Sequence, residues 1–81
     1  MLRKRSINIY GHKTSISIEK PFWDALKEIA KNNKSTLISL IQKIDESRND
    51  KANLSSSIRI FVLNNLREKL DFYSIKNNNK V

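Results

Sequence analysis

Eighty-one residues with sixteen Lys and Arg against eight Asp and Glu are sized for one small domain, with a formal net charge of +8 and a pI near 10.1. The absence of cysteine excludes a disulfide framework, a thiolate zinc site and a cysteine nucleophile, and a single His among scattered carboxylates makes no metal-ligand set. With 38% hydrophobic residues and a mean hydropathy of −0.57, no stretch approaches the ~18 consecutive apolar residues of a membrane span.

The chain opens on Met1-Leu2-Arg3-Lys4-Arg5, a basic run with no long apolar run behind it, so it is not a secretory signal and a soluble, cytoplasmic protein is expected. Residues 1–5 read as a flexible basic arm. Residues 6–18 alternate as strand: Ile7 and Ile9 in a first run, Ile16 and Ile18 in a second, with the parity changing between them. A two-residue turn at Gly11-His12, of the II′ kind with Gly in its first central position, accounts for the change and pairs Ile7 with Ile16 and Ile9 with Thr14. Two separate extended pieces joined at Gly11 are the alternative.

From Pro21 to about Asn32 the period becomes helical, with Phe22, Leu26, Ile29 and Ala30 on one stripe and Trp23 beside it. Pro21 suits a first turn, where its missing N–H has no partner to lose. Asn32-Asn33-Lys34 interrupts the pattern, and Ser35 or Thr36 can cap a second helix reaching about Glu46, whose stripe is Leu37, Leu40, Ile41 and Ile44. After a polar connection, a third helix capped by Asn53 or Ser55 runs to about Leu70. Ile58, Phe61, Val62 and Leu66 form its stripe, and Leu54, Ile60, Leu63 and Leu70 flank it. Apolar residues on more than one side imply burial by two surfaces. Residues 6–70 thus make the domain, and the Asn-rich, polar segment 71–81 reads as a disordered tail.

Size and charge point to partners. A chain this short buries little of its own surface, and without disulfides or metal its remaining staple is a second copy. A charge of +8 suits a polyanion, most commonly nucleic acid, against the plainer reading of solubility. No P-loop, dinucleotide fingerprint or catalytic constellation occurs, so no enzyme and no cofactor are expected. Asp24, Glu28, Asp45 and Glu46 lie among lysines and polar residues and read as solvated faces.

Arg5-Ser6, the run Gly11-His12-Lys13-Thr14-Ser15-Ile16-Ser17-Ile18-Glu19, the run Phe22-Trp23-Asp24-Ala25-Leu26 and the later Asn53-Leu54-Ser55-Ser56-Ser57-Ile58-Arg59 follow one another in a strand, helix, turn, helix order. In this the chain resembles the small bacterial ribbon-helix-helix domain proteins, related in fold to Arc- and MetJ-type repressors, over roughly residues 5–70. The resemblance implies an α+β fold, an N-terminal strand or hairpin followed by three helices, in an intertwined homodimer whose strands pair antiparallel across a two-fold axis. It also implies double-stranded DNA as partner, with the ribbon contacting bases. Transcriptional regulation, as a repressor or another site-binding regulator, is the function expected.

The residues set out where such contacts would fall. With Ile16 and Ile18 turned to the helices, Lys13, Ser15 and Ser17 face the other way, where lysine can meet a guanine edge or phosphate and serine several bases. Serines on a plain solvent face are the competing reading. Lys34, Ser35 and Thr36 at the start of the second helix make an anion site suited to phosphate, or simply a cap. Arg3, Lys4 and Arg5 can lie along phosphates or enter a minor groove. Glu19 is assigned to the first turn of the helix, His12 to the turn, and Phe22, Trp23 and Phe61 to the core. A hairpin would make the dimer's sheet four strands wide, broader than a major groove accommodates easily. An assembly of two dimers, and an antitoxin-like module whose C-terminal part binds an unidentified protein, are the other possibilities.

Overall fold

The computed structural model describes residues 2–48 and 53–78, with side chains to Asp71. Two antiparallel strands, β1 (Leu2–Ile9) and β2 (His12–Glu19), are followed by helices α1 (Lys20–Asn32), α2 (Leu37–Ser47) and α3 (Leu54–Asn78). This is the expected α+β order, with the hairpin alternative realised.

The hairpin turns at Tyr10-Gly11, one residue before the expected position, and pairs Ile7 with Thr14, Ile9 with His12 and Arg5 with Ile16. Both central residues are left-handed, Tyr10 at φ 53° and Gly11 at φ 77°. That makes a type I′ turn, with Gly in the second central position, whose twist matches the strands. Tyr10 is held in this unusual conformation from a distance. Its O–H lies 3.1 Å from the Gln42 carbonyl and 3.0 Å from Glu46 Oε1, and its N–H points at Gln42 Oε1. Loss of hydration and the Glu46 carboxylate both push its phenol above the usual value. The register differs from the expected one by two residues, an even slip, so Ile7, Ile9, Ile16 and Ile18 still share the inner face.

β1 begins at Leu2, so the basic run belongs to the strand and not to a separate arm. Arg3 and Arg5 fall on the inner face, opposite Ile18 and Ile16. The Arg5 guanidinium lies 5.1 Å from the centre of the Trp23 ring, and this stacking lets a cation occupy a core-side position.

The three helices cover that inner face. α1 turns Trp23, Leu26, Ile29 and Ala30 inward, with Phe22 at the margin. α2 contributes Leu40, Ile41 and Ile44, and α3 contributes Ile58 and Val62. Asn53 Oδ1 caps α3 by accepting from the Ser56 N–H at 2.8 Å. The backbone of α3 runs on past the expected end near Leu70 to Asn78; residues 79–81 lie outside those described. Twenty-five residues make a helix of about 37 Å. From Leu66 to Asp71 every side chain is exposed, so this stretch of α3 packs against no part of the core.

α1 ends in a Schellman arrangement. The Ser35 N–H reaches back to the Ala30 carbonyl at 2.9 Å and the Lys34 N–H to that of Lys31 at 3.1 Å. Lys34 takes the left-handed position at φ 55°, which favours glycine. Lys34→Gly is therefore expected to raise stability by about 0.5–1 kcal/mol, the relief of left-handed strain less the extra chain entropy of glycine. Urea denaturation measures it. A loss of stability would mean that the lysine side chain itself supports the fold.

Candidate nucleic-acid interface

Strand alternation divides the hairpin into two unlike faces. The inner one carries Ile7, Ile9, Ile16 and Ile18, with Arg3, Arg5, His12 and Thr14 paired across from them. The outer one carries Lys4, Ser6 and Asn8 from β1 opposite Ser17, Ser15 and Lys13 from β2, and all six are exposed. None of these side chains has a hydrogen-bond or ion-pair partner among the described residues. Ser6 and Asn8 were not singled out from sequence. Their signal was present, since they alternate with Ile7 and Ile9.

The face ends at Leu2 and Glu19, paired across the strands. Glu19 Oε1 accepts from Arg59 Nε of α3 at 2.8 Å, 40 residues away in sequence. That bond, foremost, holds the Glu19 carboxyl below its usual range. Its stabilising contribution is complete above the ordinary glutamate pKa and is lost as pH falls through the lowered value. Glu19 occupies the N-cap position of α1, at the helix end expected for it, and its side chain caps no N–H there. Arg59 of α3 is the cation that neutralises this carboxylate at the end of the outer face.

The other sequence-predicted residues are distributed differently. Arg3 and Arg5 point away from the outer face, and Arg5 Nε is buried without a hydrogen-bond partner among the described residues. Lys34 closes α1. Thr36 Oγ1 accepts the Ser39 N–H at 3.0 Å as the cap of α2. Ser35 borders a hollow of about 600 Å3 between α2 and α3, shared with Leu40, Ile44 and Phe61. It is the start of α3 that comes to β2: Ser15, Ser17, Asp45, Arg48, Asn53, Ser55 and Arg59 border a second hollow, of about 620 Å3.

The ribbon-helix-helix domain family matches residues 2–66 of the chain. The chain belongs to this family. No curated protein and no solved structure matches it. Ribbon-helix-helix domains in general are DNA-binding, regulatory modules that work as dimers rather than as enzymes. Among the described residues of this ribbon-helix-helix chain, no helix is long and apolar enough to cross a membrane. No group of three or more His, Asp or Glu side chains is placed to hold a metal ion among them either.

Proposed function

We propose that this chain is a cytoplasmic transcriptional regulator, in the sense of a repressor, that holds double-stranded DNA as a homodimer. The observation that carries the reading is the outer face of the hairpin. It presents two lysines, three serines and an asparagine with free side chains, and the Glu19 carboxylate at its end is bound to Arg59. Lys13, Ser15 and Ser17 face the bases. Lys34, Ser35 and Thr36 hold a more distant stretch of backbone.

Two features support the dimer. In a two-residue hairpin the residues flanking the turn exchange both backbone bonds, so Thr14, Ile16 and Ile18 bond to β1 while Lys13, Ser15 and Ser17 turn their N–H and C=O groups to an open edge. An open edge of this length pairs readily with another strand. A two-fold pairing along residues 14–18 sets only Thr, Ser and Ile opposite one another, whereas pairing along β1 would bring Arg3, Lys4 and Arg5 against their own copies. On α3, Ile60, Leu63, Leu66 and Leu70 are about half exposed or more, an apolar face left for a second chain. The same apolar face favours a second reading, a module that captures a different protein.

Fluorescence anisotropy with labelled duplexes, one from the region upstream of the chain's own gene and one shuffled, tests the function. The expected result is a linear fall of log K with log salt, by about 0.9 per phosphate contact, with tighter binding to the upstream duplex. Weak binding indifferent to salt would overturn the reading in favour of a protein partner.

A further inference from the structure

We infer that the first strand grips the DNA as well as the second: Lys4 of β1 stands over the phosphate ridges that wall the major groove, and it limits how deeply the sheet enters. This rests on the DNA-binding dimer proposed above.

The argument is one of width and parity. If the open edge of β2 pairs with its own copy, the sheet runs β1-β2-β2-β1 across the two-fold axis. Strands lie about 4.8 Å apart, so the outer pair stand about 14 Å from one another and the inner pair about 5 Å. A major groove is about 12 Å wide. The two β2 strands therefore lie over the groove floor, and the two β1 strands fall on its walls, where the phosphates are.

What β1 presents there is set by alternation. Of its three consecutive cations, Arg3 and Arg5 are on the inner face, and Arg5 is occupied with the Trp23 ring. Only Lys4 faces outward, exposed and with a free side chain, in line with Ser6 and Asn8. A long, flexible ammonium suits a phosphate, which it meets as a point charge without demanding geometry. The two hydroxyls in line with it on β2, Ser15 and Ser17, are short. A sheet resting on the ridges through Lys4 holds them near the mouth of the groove and leaves the longer Lys13 to reach inward. The breadth that seems to bar a four-stranded sheet from the groove thus becomes a seat across it. Phosphate contacts carry no sequence information, so Lys4 contributes affinity equally on every duplex.

The test is the anisotropy salt series on the full chain, comparing the wild type with Lys4→Gln and with Lys27→Gln. The second variant removes the same charge from exposed Lys27 of α1, whose nearest partner is Asp24. Circular dichroism and the unfolding midpoint establish that each variant folds. Lys4→Gln is expected to reduce the salt slope by about 1.8, two contacts per dimer at about 0.9 each, and to weaken binding roughly fifty-fold near 0.1 M salt on both duplexes alike. A slope equal to that of Lys27→Gln would overturn the inference while the DNA reading stands. So would a changed preference between the duplexes at constant slope, because β1 would then be reading bases. A wild type with no salt-dependent binding would remove the DNA reading and this inference together.

Discussion

Replacing Ser15 by proline is expected to split the proposed dimer while leaving the hairpin intact. The alternation of backbone bonds decides the choice. Ser15 is paired across from Ser6, and in this hairpin its N–H points to the open edge of β2 rather than to β1. Proline is tolerated on an edge strand where the lost N–H faces outward, and the extended conformation it demands of Thr14 is the one that residue already has. In the dimer the same substitution removes one donor from each chain and leaves two acceptors unmatched. At about 1 kcal/mol per lost bond, and about 1 kcal/mol or more for each unpaired carbonyl, the loss is about 4 kcal/mol or greater, on the order of a thousandfold in the dimer dissociation constant. Sedimentation equilibrium reads the assembly, and anisotropy reads the accompanying fall in DNA affinity, since one chain alone brings half the contacts. Ser15→Ala is the companion: it keeps the backbone donor, stays dimeric, and changes only the contacts of the hydroxyl. A dimeric Ser15→Pro protein with unaltered affinity would show that the chains associate elsewhere, with the apolar face of α3 the next surface to examine.

Much of this fold is written in periodicity, and what escaped has identifiable causes. The four isoleucines of the hairpin alternate strictly, so their common face survived an even slip in register. The turn was misplaced because a left-handed tyrosine is a poor choice on local grounds. Its support comes from Gln42 and Glu46, more than thirty residues away. β1 was read as starting late because Leu2-Arg3-Lys4-Arg5 lacks apolar alternation. What allows Arg5 on the inner face is the ring of Trp23, a contact that no local pattern announces. The caps at Thr36 and Asn53 were legible because capping is a local, side-chain-to-backbone matter.

The candidate site divides in the same way. Lys13, Ser15 and Ser17 follow directly from strand parity and stand on the outer face. By charge alone Lys4 is one of three equivalent cations at the start of the chain. Only the strand assignment separates it from Arg3 and Arg5. The Glu19–Arg59 pair joins the end of β2 to α3 and could not be paired from sequence, because many other cations in the chain were equally available to that carboxylate. Its effect is electrostatic and simple: it keeps the edge of a cationic face from presenting a free negative charge to a polyanion.

The largest effect on folding is expected from Leu26→Ala. Leu26 is fully buried on α1, in the same core cluster as Ile18 of β2, Ile41 of α2 and Ile58 of α3. Removing such a side chain costs about 2–5 kcal/mol, the lost transfer energy together with the cavity left behind. A folded chain of 81 residues is held by only about 4–12 kcal/mol at ordinary specific stabilities. Leu26→Ala therefore removes a large share of the total and is expected to leave the domain partly unfolded near 37 °C. Urea and thermal denaturation measure the loss, and repeating them over a range of protein concentrations separates folding from assembly. A dimer gains stability with concentration by mass action; wild type and Leu26→Ala are expected to gain alike, which leaves the deficit unchanged as concentration rises. Leu63→Ala, at a position 52% exposed in the single chain, is expected to cost under about 0.5 kcal/mol when dilute. Its cost should grow only where copies associate through α3. A loss below about 1 kcal/mol for Leu26→Ala would mean that the core does not close around α1 as described.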